Sequence, residues 1–152
     1  MTFKEKLKEL RNSSEDTKID WGKNKKDWID SVKLLFSTIQ DDWFSELEAE
    51  GLLKINTSLI SISEEYIGTY TIDKMEITYS TSCVVFAPVG RNIIGGEGRI
   101  DLYLKGEFGK GLMLILYREN NTDNWFIVSK ESRREKELLS KSSLERTIEQ
   151  WI

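Results

Sequence analysis

Four polar residues, Arg99, Asp101, Tyr103 and Lys105, alternate with Ile100, Leu102 and Leu104, so they share one face of an expected strand. Glu97 stands just before them, and Arg91 lies upstream across a glycine-rich stretch that ends at Gly98. Carboxylates at 97 and 101 could hold a hard cation or carry a proton, Arg and Lys could fix an anion, and Tyr103 offers a polar tip on an apolar body. Converging over an apolar concavity in a curved sheet, these side chains would line a ligand pocket or partner-binding face. The plainer reading is cross-strand ion pairing on a solvated face.

Each sharper chemistry fails on a particular residue. Gly98-Arg99-Ile100-Asp101 resembles the first half of a restriction-type, metal-dependent nuclease site, in which an Asp on one strand faces Glu-x-Lys on the next. The next apolar run, Leu112 to Tyr117, carries no carboxylate or lysine, and Glu107-Phe108-Gly109-Lys110 falls in an expected turn. Gly95-Gly96-Glu97-Gly98 lacks both the third glycine of a dinucleotide loop and the Lys-Ser/Thr of a P-loop. Lys23-Asn24-Lys25-Lys26 beside Trp21 and Trp28 could form a basic, aromatic patch for single-stranded nucleic acid, but Asp20, Asp27 and Asp30 dilute it.

There is no histidine, which removes the commonest general base, the Ser/His and Cys/His pairs, and most zinc sites. The single cysteine, Cys83, has no internal disulfide partner and no adjacent base, so it reads as an inert buried thiol in a reducing compartment. No catalytic residue, metal site or cofactor is expected. A net charge of -4, with both signs mixed along the chain, disfavours a nucleic-acid partner.

The elements that must position the polar face follow from periodicity. One domain spanning 1–152 is expected, with 1–20 a loosely attached helical arm: Thr2 to Arg11 is amphipathic through Phe3, Leu7 and Leu10, and Asn12 to Lys18 reads as a polar connector. A long helix from Lys25 to Glu50 is capped by Asn24, with Asp27 completing an imperfect capping box, and stopped by Gly51. Its stripe is Trp28, Val32, Leu35, Phe36, Ile39, Trp43 and Leu47.

Beyond Leu52 the period falls to two. Strands are expected from Leu53 to Leu59, Tyr66 to Ile72 and Met75 to Ala87, with turns at Glu64-Glu65 and Asp73-Lys74 and a stop at Pro88. Arg99 to Lys105, the unbroken apolar run Leu112 to Tyr117, and Trp125 to Ser129 supply three more, joined through Gly106 to Gly111 and Asn120 to Asn124. The charged segment Lys130 to Lys141 is helix or linker. Ser142-x-x-Glu145 is a capping box for a closing helix that docks through Leu144, Ile148 and Trp151-Ile152.

The expected fold is therefore α+β, an antiparallel sheet of about five or six strands with a long helix from the N-terminal half on one face and a short C-terminal helix beside it. This arrangement is similar to that of cystatin-like and NTF2-like folds, an architectural analogy that transfers no function. The 18 residues at the N-terminus lack an apolar signal region and no membrane-spanning stretch is seen, so a cytoplasmic location is expected. The leading expectation is a small, non-enzymatic protein-interaction module of the immunity, inhibitor or accessory-subunit kind. Its basis is the missing catalytic chemistry and the five tryptophans, more than one small core needs, which also leaves room for a homo-oligomer. The alternative is an enzyme or small-ligand-binding domain with its pocket near Arg99 and Asp101; a weak nucleic-acid-binding protein comes third.

Overall fold

The computed structural model describes residues 2–8, 21–91, 97–107, 111–130 and 135–152. Residues 3–8 form a short helix, α1, whose Phe3 and Leu7 are exposed. The rest of the expected arm and its connector lie outside the described residues, as do Gly95 and Gly96 of the glycine-rich loop.

Helix α2 (Trp21–Ser37) starts before Asn24, which sits inside the helix rather than capping it. Its stripe buries Trp28, Val32, Leu35 and Phe36. Residues Thr38–Trp43 continue as a π-helical turn, in which Phe44 N–H donates to Ile39 O at 3.0 Å. The wider turn adds one residue to the usual spacing. Phe44, five residues after Ile39, therefore follows it into the core, while Trp43 is only half-buried.

Helix α3 (Ser45–Ala49) ends at Gly51, where φ is +75°. Leu52 N–H bonds to Leu47 O and Gly51 N–H to Glu48 O, both at 3.0 Å, the paired bonds of a Schellman stop.

The fold is α+β, with a seven-stranded antiparallel sheet whose strands lie side by side in chain order. They are β1 (Lys54–Glu64), β2 (Gly68–Tyr79), β3 (Ser82–Gly90), β4 (Gly98–Leu104), β5 (Leu112–Glu119), β6 (Thr122–Ser129) and β7 (Lys136–Leu138). Asp73-Lys74 is not a turn: β2 runs through it in unbroken register with β1, and the reversal comes at Ser80, where φ is +53°. The apolar pattern nevertheless changes parity there, from Tyr70 and Ile72 to Met75 and Ile77, and all four are buried in one core. Only Met75–Tyr79 pairs with β3, so the outer half of the β1–β2 hairpin is a two-stranded ribbon free to twist more strongly and present its other side to the core.

Pro88 does not end β3. The strand continues to Gly90 through a register shift between Pro88 and Gly90. Strand β7 arises within the charged segment expected to be helix or linker.

Helix α4 (Lys141–Glu149) closes the core from the same side as α2, burying Leu144 and Ile148. Its cap is Ser140, two residues before the expected Ser142, and the box partner is Ser143 rather than Glu145. Trp151 packs partly on the core, whereas Ile152 is exposed.

Opposite the helices, Met113, Ile115 and Val128 form a second, smaller cluster under Tyr117 and Phe126. Both faces of β5 are thus buried, as its unbroken apolarity requires.

Candidate interaction surface

The six residues singled out from sequence do not form one constellation. Arg99, Asp101 and Tyr103 lie on the face of β4 away from the helices, but Asp101 is only 5 % exposed rather than solvated. A carboxylate this buried needs charge compensation. Arg99 supplies it from two positions along the same strand: Nε and Nη2 each lie 2.8 Å from Asp101 Oδ1. Lys130 Nζ is 3.9 Å from Oδ2. The result is an ion cluster over the small outer core, with Met113 opposite Asp101 on β5.

Lys105 is exposed and Glu97 half-buried, its backbone N–H bonded to Leu116 O at 2.7 Å. Arg91 belongs elsewhere, since its N–H donates to Glu64 Oε1 at 2.8 Å on the helix side. Among the described residues no group of three or more His, Cys, Asp or Glu is placed to hold a metal ion. Cys83 is half-buried, its Sγ 3.6 Å from Glu76 Oε2, and burial raises its pKa.

That Arg91–Glu64 contact ends a polar chain that sequence reasoning missed. Trp28 Nε1 donates to Tyr70 Oη at 3.1 Å, and Tyr70 Oη donates to Glu64 Oε2. Burial, reinforced by the hydrogen bond and negative charge of Glu64, pushes the Tyr70 phenol well above its ordinary value. The chain ties α2 to the outer end of the β1–β2 ribbon and to the start of the β3–β4 loop. The far end of that loop is fixed too, because a Cβ on Gly98 would lie 2.3 Å from the Trp28 ring. Only glycine allows β4 to pass this close. With Trp28 buried and hydrogen-bonded, its ring is not available to stack a base.

A half-open cavity of about 630 Å³ lies between α3, the end of β2 and α4. Phe44, Leu47, Leu53, Ile77, Tyr79 and Ile148 line it, with Asp42, Glu46, Glu145, Glu149 and Lys141. None of the six sequence candidates borders it. Tyr79 Oη is buried there without a hydrogen-bond partner among the described residues, and burial raises its pKa.

Among the described residues β1 is an edge strand that pairs with β2 alone. Its first outward donor identifies which backbone groups face away from β2: Ile55 N–H bonds to Glu48 Oε2 at 2.8 Å instead of entering the ladder. In an antiparallel strand a residue's N–H and C=O point the same way, and the direction alternates along the chain. Thr57, Leu59, Ser61 and Ser63 therefore present donor and acceptor to the open side, as Ile55 does. From Ile55 to Ser63 the strand has no charge, no proline and no bulge, and Leu59 is 66 % exposed.

Natural edges are usually blunted by one of those devices, because a bare edge is a template for another strand. The uncharged run INTSLISIS was visible in the sequence, but only its position at the sheet edge gives it meaning. No family model, curated protein or solved structure matches the chain.

Proposed function

We propose that this chain is a non-enzymatic protein-interaction module, of the immunity, inhibitor or accessory-subunit kind, working in the cytoplasm and docking through the open edge of β1. The observation that carries this reading is the row of outward backbone groups at Thr57, Leu59, Ser61 and Ser63, on a strand without edge protection among the described residues. Strand addition draws affinity from main-chain hydrogen bonds and specificity from alternate side chains, and β1 offers both.

Ser61→Pro tests it. Proline deletes an outward N–H while leaving the β1–β2 ladder intact, so folding stability should hold. Proteins captured from the source cell by the parent should be lost with this variant. An identical capture profile from both would remove β1 as the docking element.

A second reading, small-ligand binding, is supported by the cavity between α3 and α4, whose size suits a small molecule. A thermal-shift screen with metal ions, nucleotides and metabolites addresses it, and the absence of any raised midpoint would dismiss it.

A further inference from the structure

We infer that the occupant of the β1 edge is β1 of a second copy of this chain, paired antiparallel about a two-fold axis at Leu59. The inference rests on the reading of β1 as the docking element and specifies its partner.

The outward direction of Ile55 restricts the registers that can form. Outward residues must meet outward residues, so odd-numbered positions pair with odd-numbered positions. Among such registers, the one centred on Leu59 pairs the whole 11-residue strand with its copy. Thr57 then exchanges hydrogen bonds with Ser61 of the other copy, and Leu59 with its own equivalent.

Charge selects the same register. Lys54 and Glu64 are the charged residues of β1 and stand at its two ends. Pairing about Leu59 sets Lys54 of each copy opposite Glu64 of the other, two complementary contacts related by the symmetry axis. A shift in either direction separates them. Between the ends only neutral side chains meet, and the exposed Leu59 is covered by its twin.

The opposite side of the molecule explains why such pairing closes. Strand β7 has three residues, Lys136–Leu138, and the Leu138 carbonyl is taken by Ser143 Oγ at 3.0 Å. A molecule with two open edges would polymerise; one with a single self-complementary edge stops at an isologous dimer. Two seven-stranded sheets become one continuous sheet.

Symmetric cross-linking of the full chain reads the register directly. In a Cys83→Ser background, Leu59→Cys should form a covalent dimer on mild oxidation, because directly opposed, hydrogen-bonded residues lie about 5.5 Å apart at Cα, within disulfide range. Thr57→Cys should not link to itself but should link to Ser61→Cys when the two variants are mixed. Sedimentation of the parent should show a dimer, and Ser61→Pro, which removes one donor from each copy, should weaken it roughly a hundredfold.

Equal self-linking of Thr57→Cys and Leu59→Cys would overturn the register. A parent that stays monomeric at high micromolar concentration would overturn the second copy as occupant. In that event, capture of other proteins that still depends on Ser61 leaves the docking reading standing, and loss of that dependence removes both.

Discussion

At β7 the sheet stops after three residues, two of them charged, whereas at β1 it stops after eleven, uncharged from Ile55 to Ser63. Each side leaves backbone groups facing outward, yet the chain treats them differently. At β7 the outward Leu138 carbonyl is met by Ser143, and the Glu137 side chain by Arg146 from α4. At β1 the outward Ile55 N–H is met by Glu48, and among the described residues no strand pairs with the positions that follow on that side. Among the described residues, protection is therefore built where a helix already lies beside the edge, and the edge without it is the opposite one. An edge strand this long, regular and neutral is an aggregation liability unless it has a designated partner.

The comparison breaks most severely if the β7 side is not held by α4. Leu144 is fully buried, so Leu144→Ala should cost about 2–5 kcal/mol in denaturant unfolding. Amide protection should fall at Leu138 and Leu139 while the β1–β2 ladder keeps its own. Equal loss at both edges would show that α4 does not protect β7 specifically.

A smaller effect isolates the cap. Ser143→Ala removes the acceptor for Ser140 N–H, one half of the box, and the donor to Leu138 O, for an expected loss of about 1–2 kcal/mol. If Glu145 capped the helix instead, this change would be nearly silent.

On the β1 side, Tyr70→Phe should cost about 1 kcal/mol by cutting the chain from Trp28 to Glu64 that anchors the ribbon. The pH dependence has a definite sign. Tyr70 ionises at higher pH when folded than when unfolded, so its contribution is complete below about pH 10 and is lost as pH rises above that value toward the folded pKa. Alkaline unfolding followed by circular dichroism should be steeper for the parent than for the Phe variant. Parallel curves would mean that Tyr70 titrates normally.

The smallest change in stability belongs to Leu59→Lys. An exposed edge residue contributes little to the monomer, so unfolding should shift by no more than about 0.5 kcal/mol. Its effect should appear in association, since a lysine at the two-fold axis meets a lysine. A large loss of monomer stability would show that Leu59 packs within its own fold.

Much of the architecture was legible because periodicity reports burial. The α2 stripe, the Gly51 stop, the two-sided apolarity of Leu112 to Leu116 and the docking of Leu144 and Ile148 follow from spacing alone. The errors lie where local pattern and tertiary geometry part. The polar pair Asp73-Lys74 resembles a turn because the apolar parity changes across it, but the change records a twisting ribbon. Phe44 replaces Trp43 in the core because a π-helical turn inserts a residue that no spacing rule anticipates.

The candidate site was less legible. Alternation placed Arg99, Asp101 and Tyr103 on one face correctly, but alternation cannot tell a solvated face from one that carries a second core. The edge character of β1 depends on strand order, which a sequence of hairpins does not reveal by itself.

Strand order also bears on how the chain reaches its native state. Each strand pairs with its neighbour in sequence, so the sheet can zip hairpin by hairpin, closing short loops at small entropic cost. The Trp28–Tyr70 bond spans 42 residues, and α4 must dock on the same core from the far end of the chain. The loop-closure burden therefore falls on docking the helices, and the sheet, with β1 bare from the start, is the part able to assemble first.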